Sequence, residues 1–322
     1  MCAYYEEAKD VLKTEKVETE HAVSEIHYEP MGVILGIMPW NYPFWQALRF
    51  AVPAMLSGNV VVLKHASICE ETGDTLQQLF EESGFPAGTF THVKASHSEI
   101  EEMIASPVIK AVSLTGSEAA GRKVAAVAGQ NLKKCVLELG GSDAFIVLED
   151  ADINKAAEDA ASARLQNCGQ TCVAGKRFII HHKIYDEFLS KFIEEYQKYI
   201  PGNPEDPETA LGSMAREDLA SELENQYQKA IDNGAKILLP LKRVGEMTFE
   251  PGLMEMNAGN PVLDEELFGP LGMLFKAEND DEALTIANST MFGLANAVYT
   301  NDREKAMFFA THLESGSVAI NQ

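Results

Sequence analysis

Short apolar runs rich in β-branched residues recur over the first 141 positions, at 33–38, 60–63, 90–93, 111–114 and 136–139, with segments of helical period between them. A strand that stays apolar at successive positions is buried on both faces, and helical spacers supply the crossovers that parallel pairing needs. The pattern predicts a five-stranded, doubly wound parallel unit. Ser98 before Glu99 and Ser117 before Glu118 read as helix starts. A second series follows Gly141, with strands at 144–148 and 177–181 and helices at 152–167, 183–199, 216–233, 280–288 and 302–313, the later ones alternating with short strands. The stretches 202–207 and 251–261, punctuated by Gly, Pro and Asn, read as loops. The expected architecture is α/β, with one domain at 1–141 and a second at 142–322.

Composition narrows the function classes. With 26 Lys and Arg against 49 Asp and Glu, the 322-residue chain carries a formal charge of −23. That charge repels phosphate backbones and anionic lipid, so neither nucleic acid nor a membrane surface is an expected partner, and an anionic ligand must be held by local groups. No run approaches the ~18 uninterrupted apolar residues of a membrane span. The start, Met1-Cys2-Ala3-Tyr4-Tyr5-Glu6-Glu7, lacks the basic and then apolar order of a secretory signal, and a cytoplasmic protein is expected. Five cysteines, at 2, 69, 135, 168 and 172, are few and odd in number, which points to single thiols rather than a disulfide framework. The pair His181-His182 on a strand is expected to point to opposite faces, and no metal site is expected.

Four segments carry candidate chemistry. Cys172 lies in Asn167-Cys168-Gly169-Gln170-Thr171-Cys172-Val173-Ala174, where a bend after a helix can aim backbone N–H groups at an oxyanion; a buried, inert thiol is the alternative. Glu138 ends an apolar strand, where a carboxylate is costly to bury unless it is paired or works as a base, although a surface strand-end Glu fits as well. Asn41, between Pro39 and Pro43 and beside Trp40, is either a rigidly held amide donor or an ordinary turn residue. Leu114-Thr115-Gly116-Ser117 runs a strand into a helix whose first N–H groups suit a phosphate, without the spacing of a dinucleotide or P-loop fingerprint. Cys168, four residues before Cys172, would share a helical face with it and fall within disulfide range, or else is a small buried residue.

In order, P-W-N-Y-P (39–43), V-V-V-L-K (60–64), L-T-G-S (114–117), L-E-L-G-G (137–141), G-Q-T-C (169–172) and E-E-L-F-G-P (265–270) resemble the aldehyde dehydrogenase superfamily across residues 28–321. W-Q-A-L-R-F, L-K-H-A-S and L-E-L-G-G-S-D look most like its succinate-semialdehyde dehydrogenase branch. The resemblance implies a Rossmann-like cofactor domain, with part of an oligomerisation strand near 17–30, a catalytic domain, and a homo-oligomer for the full-length form. It makes Cys172 the nucleophile, Glu138 the general base and Asn41 the side-chain oxyanion donor. It assigns Trp40, Lys64, Ser67, Gly116, Ser117, Glu266 and Phe268 to an NADP or NAD cofactor: Lys64 and Glu266 at ribose, Gly116 and Ser117 at the pyrophosphate, Phe268 near the nicotinamide. NAD-specific relatives carry a glutamate where this chain has Ser67, which implies that NADP is used at least as well as NAD. His65 either adds charge there or points to solvent. Arg49 matches the branch's arginine for the carboxylate of an ω-oxo acid, and Gln166 stands in place of the second. Family chains extend further at both ends, so a fragment is expected, and a catalytically silent relative is the alternative to an active enzyme. A cysteine hydrolase would need a histidine partner that no motif supplies.

Overall fold

The apolar runs of the N-terminal part become the strands of one sheet in a computed structural model that describes residues 10–322. Cys2 and the start at residues 1–7 lie outside the described residues. Two compact units are present, one ending at Leu139 and one beginning at Gly140.

The first unit opens with a short antiparallel ribbon, β1 (Glu15–Lys16) and β2 (Glu25–Ile26). It continues through β3 (Val33–Met38), β4 (Val60–His65), β5 (Phe90–His92), β6 (Ile109–Thr115) and β7 (Lys134–Glu138), joined by helices Pro43–Leu56, Glu70–Glu82, His97–Ala105 and Glu118–Gln130. The sheet order is β5-β4-β3-β6-β7, parallel throughout. The chain moves outward from β3 to β5 and then returns to β6, so strand order reverses between β3 and β6. Val61 and Leu63 pack with Ala47, Ala51, Leu76 and Phe80 on one face. Leu35, Val112 and Leu114 pack with Ile100, Ile104 and Val124 on the other. Ser117 caps its helix by accepting from the Ala120 N–H. The other expected start is corrected: the cap is Ser96, not Ser98. Its hydroxyl accepts from the Glu99 N–H while the Glu99 carboxylate accepts from the Ser96 N–H, satisfying two orphan donors at once.

The second unit holds β8 (Asp143–Val147), β9 (Gly175–His181), β10 (Lys236–Leu239), β11 (Lys242–Arg243), β12 (Phe249–Glu250), β13 (Gly252–Glu255), β14 (Leu271–Ala277), β15 (Ala295–Tyr299) and β16 (Ser317–Ile320). Seven of them form a sheet of order β10-β13-β14-β9-β8-β15-β16, in which only the β10–β13 pair is antiparallel. Helices Ile153–Leu165, Tyr185–Tyr196, Glu217–Asp232, Asp280–Asn288 and Arg303–His312 complete the unit. Its core runs through Phe145, Phe178, Phe188, Phe192, Leu253 and Met273.

Three expectations fail in this unit. The stretch 251–261 is not all loop, because β13 lies buried between β10 and β14, with the Gly252 N–H donating to the Pro270 carbonyl. The four residues of Gly252–Glu255 are too few to show a period. The helix expected to 167 stops at Leu165, and Gln166–Gly169 turn through a 3-10 segment in which Asn167 and Cys168 have φ of 53° and 55°. That left-handed backbone removes the shared helical face expected for Cys168 and Cys172. His181 ends β9 and His182 starts a separate 3-10 turn, so their rings do not diverge but meet edge to face, with centroids 4.8 Å apart. Among the described residues, no helix is long and apolar enough to cross a membrane.

Candidate active site

In the first unit the candidate residues collect at the carboxyl ends of the central strands, where open α/β sheets bind ligands. Register pairs Met38 with His65, Ile37 with Lys64 and Thr115 with Glu138, so the segments that follow β3, β4, β6 and β7 leave the sheet at similar height. Beyond Met38, the turn carrying Trp40 and Asn41 is tied to the end of β4 by two contacts. The Cys69 thiol donates to the Trp40 carbonyl at 3.9 Å, and His65 Nε2 lies 3.0 Å from the Pro43 carbonyl. His65 Nδ1 accepts from the Ala66 N–H at 2.9 Å, so Nε2 carries the proton that reaches Pro43. Burial lowers the His65 pKa, and the side chain is 1% exposed. His65 therefore neither adds positive charge for a phosphate nor points to solvent; it fastens the Asn41 turn.

Lys64 is the last residue but one of β4, and Ser67 is exposed at the start of the 3-10 turn Ser67–Cys69. After β6, the Gly116 N–H donates to the Glu138 carbonyl, and a Cβ at Gly116 would meet only Leu114, at 3.9 Å. The backbone there is open in front of the helix Glu118–Gln130, whose N-terminus presents N–H groups to an anion. Arg49, on the helix Pro43–Leu56, lies with Nη2 3.6 Å from Glu138 Oε2, both side chains partly exposed.

In the second unit Cys172 sits in a turn before β9, half-buried. All four described cysteines are free thiols. Burial pushes the Cys172 thiol pKa up; the Lys176 ammonium pulls it down, Glu266 pushes it up, and the N–H groups of Val173 and Cys172 itself pull it down. Those N–H groups can meet an anion on the sulfur or on an atom bonded to it. The turn is anchored on its N-terminal side by Arg164, a fully buried guanidinium that donates to the carbonyls of Gly169 and Leu267 at 3.0 Å and also to that of Gly269. Gly169 has φ of 71°, and a Cβ there would lie 2.3 Å from the Gly269 carbonyl oxygen, so only glycine lets these two segments touch. Phe268, half-buried, rides on that second segment.

On its C-terminal side the turn hangs on Lys176, whose side chain is 0% exposed. Its Nζ donates to the carbonyls of Thr171 (3.0 Å) and Cys172 (2.7 Å) and lies 3.1 Å from Glu266 Oε1. The same Oε1 accepts from the Gly141 N–H at 3.1 Å. A Cβ at Gly140 would stand 2.5 Å from Glu266 Oε2, and one at Gly141 2.6 Å from the Cys172 carbonyl oxygen. The glycine pair thus lets three separated segments, 140–141, 171–176 and 266, close around one ion pair, with Lys176 buried and Glu266 partly so. Beneath it Asp143 is 2% exposed and accepts from the Leu294 N–H at 3.3 Å. Burial lifts its pKa to about 6, against the pull of the Ala295 and Leu294 N–H groups, Lys176 and Arg177. Arg177 donates to the carbonyls of Ser142, Ile286 and Ala287.

Lys176, Arg164 and Asp143 escape a sequence reading. The available signal was charge in the wrong place: Lys176-Arg177 opens an apolar strand, and Arg164 falls on the apolar face of a helix rich in alanine.

The sequence matches the aldehyde dehydrogenase family over residues 1–322. It is 40% identical over 325 residues to a Deinococcus radiodurans protein named succinate-semialdehyde dehydrogenase, NADP(+), covering 99% of this chain and 67% of that one. A Mycobacterium avium protein of the same name is 40% identical over 324 residues, with 99% and 69% covered. Among solved structures, succinic semialdehyde dehydrogenase from Streptococcus pyogenes, in complex with NADP+, superposes with a TM-score of 0.96 at 34% identity, covering 99% of this chain and 71% of that chain. The chain spans about two thirds of the length of these relatives, and it belongs to the aldehyde dehydrogenase family.

Proposed function

We propose that the chain oxidises an aldehyde, succinic semialdehyde, to its carboxylic acid through a covalent adduct on Cys172, with NADP+ as the preferred electron acceptor. The observation that carries this reading is the setting of Cys172: a partly buried thiol facing two backbone N–H groups, on a turn braced by Arg164 and Lys176. In the proposed chemistry the Cys172 thiolate attacks the aldehyde carbon. The oxyanion accepts from the Cys172 N–H and the Asn41 amide, and removing one such donor typically costs ~10²–10³ in rate. A nicotinamide dinucleotide, when bound, supplies the hydride acceptor. Glu138 then takes a proton from the water that hydrolyses the thioester, and the carboxylic acid leaves.

Support for the cofactor comes from Ser67, exposed and uncharged beside Lys64, and from the names of the relatives. A carboxylate at that place would repel a 2′-phosphate by about 4 kcal/mol at ~4 Å and an effective dielectric of 20. Trp40, Gly116, Ser117, Glu266 and Phe268 complete the proposed cofactor set. Arg49 supports the substrate. Its guanidinium is partly exposed and already beside a carboxylate, Glu138, at 3.6 Å, which leaves it accessible to a substrate carboxylate that it can bind in the bidentate manner of Arg. Turnover is read as the absorbance of reduced nicotinamide with aldehyde, then repeated with an ester and no cofactor. Cofactor-dependent aldehyde oxidation supports the proposal; ester hydrolysis alone defeats it in favour of a cysteine hydrolase.

A further inference from the structure

Lys176 takes no part in the chemistry just described, yet the nucleophile's backbone rests on it. An ammonium has three N–H donors, and here three acceptors surround it: the carbonyls of Thr171 and Cys172, and Glu266 Oε1. We propose that Lys176 is the positioning residue of the nucleophile turn, and that its charge sets the reactivity of Cys172. The inference rests on Cys172 as the reacting thiol and extends that reading.

Three observations converge. The side chain is wholly buried, so its charge acts through protein rather than through screening water. It is bonded to Cys172 itself, which fixes the orientation of the Cys172 carbonyl and hence of the N–H groups that follow it. Its presence also opposes the rise that burial imposes on the Cys172 thiol. The other charged groups facing Lys176 are Glu266 from the segment before β14, Arg164 from the helix Ile153–Leu165 and Asp143 from β8. Burial lowers the Lys176 pKa and Glu266 opposes that fall, while the three acceptors match the three donors of an ammonium. A lysine that served only to fill space would need no such set of acceptors.

The test uses the whole chain with neither aldehyde nor cofactor. Iodoacetamide alkylation of Cys172 is followed against pH by mass spectrometry of the peptide that carries it, with Cys172→Ser as the blank. Lys176→Met and Lys176→Gln remove the charge. Each is expected to raise the midpoint of the alkylation profile by about one pH unit, with a roughly tenfold slower reaction at neutral pH. Lys176→Arg, which keeps the charge, should recover most of the shift. Profiles for Met and Gln that overlay the wild type would overturn the proposal. Should the neutral variants fail to fold, judged by circular dichroism, Lys176→Arg decides alone: a rise of less than about one unit supports the proposal, and a larger one, with charge retained, overturns it. The readout needs no turnover. Loss of aldehyde oxidation with the expected alkylation shifts would defeat the proposed function and leave the role of Lys176 standing.

Discussion

Cys172 at rest is held mainly as the thiol, since burial raises its pKa more than Lys176 and the local N–H groups lower it. Cys172→Ala should abolish aldehyde oxidation while the dissociation constant for NADP stays within about twofold, less than ~0.4 kcal/mol; retained steady-state activity contradicts the assignment. Ser67→Glu should shift preference toward NAD, and a wild type that binds NAD more than about tenfold tighter than NADP, ~1.4 kcal/mol, contradicts the cofactor reading. Arg49→Ala should reduce the preference for succinic semialdehyde over butanal, and an unchanged ratio removes Arg49 from the substrate site. Asp143 gives a stability prediction with a definite sign. Its folded pKa of about 6 lies above the ordinary 3.8, so between these values the unfolded chain has lost a proton that the folded one keeps. Stability from this group is complete below about pH 4 and falls as pH rises through 6, by roughly two units at 1.36 kcal/mol each, ~3 kcal/mol. Asp143→Asn should therefore gain on the wild type across that window in denaturant unfolding; a difference constant from pH 4 to 7 refutes the burial account. Cys172, Glu138 and Asn41 stand out in a sequence because they lie in contiguous motifs. Lys176 and Arg164 do not, because their meaning comes from partners far along the chain, the Glu266 carboxylate for Lys176 and carbonyls up to 105 residues away, such as that of Gly269, for Arg164.

At the scale of elements, runs such as 33–38 were readable because burial on both faces leaves a continuous apolar signature, and β3 occupies those very residues. The helix start at Ser117 was readable from one residue because an N-cap is a local bargain between a hydroxyl and the next turn. Where neighbours distant in sequence decide, local signals fail. β13 is a strand because β10 and β14 flank it, and the helix from Ile153 ends at Leu165 as Arg164 draws the Gly169, Leu267 and Gly269 carbonyls together. Consecutive left-handed residues at Asn167 and Cys168 store strain, of order 1–3 kcal/mol each, which those contacts sustain. Gly169→Ala adds a side chain at φ of 71° against the Gly269 oxygen. It should destabilise the fold by at least about 2 kcal/mol and slow Cys172 alkylation. A fully stable variant with normal alkylation would mean that the turn is not braced in this way.

For the whole molecule, two sheets of different pattern carry different parts of the proposed chemistry. The parallel five-stranded sheet presents Asn41, Lys64, Ser67, Gly116, Ser117 and Glu138 at strand ends, and the seven-stranded unit holds Cys172, Glu266 and Phe268. With a net charge of −23, the proposed reading leaves the holding of anionic ligands to local cations, Lys64 and Arg49 among them, since distant charges are screened over ~8–10 Å. The central claim is that oxidation proceeds through an acyl group on Cys172, and the most direct measurement traps that group. Glu138→Gln is mixed with succinic semialdehyde and NADP+, and the digested protein is weighed by mass spectrometry alongside the yield of reduced cofactor. The account predicts one succinyl group on the peptide containing Cys172, formed with one equivalent of NADPH and lost only slowly. NADPH formed with no acyl group on Cys172, or formed equally well after Cys172→Ala, would contradict it.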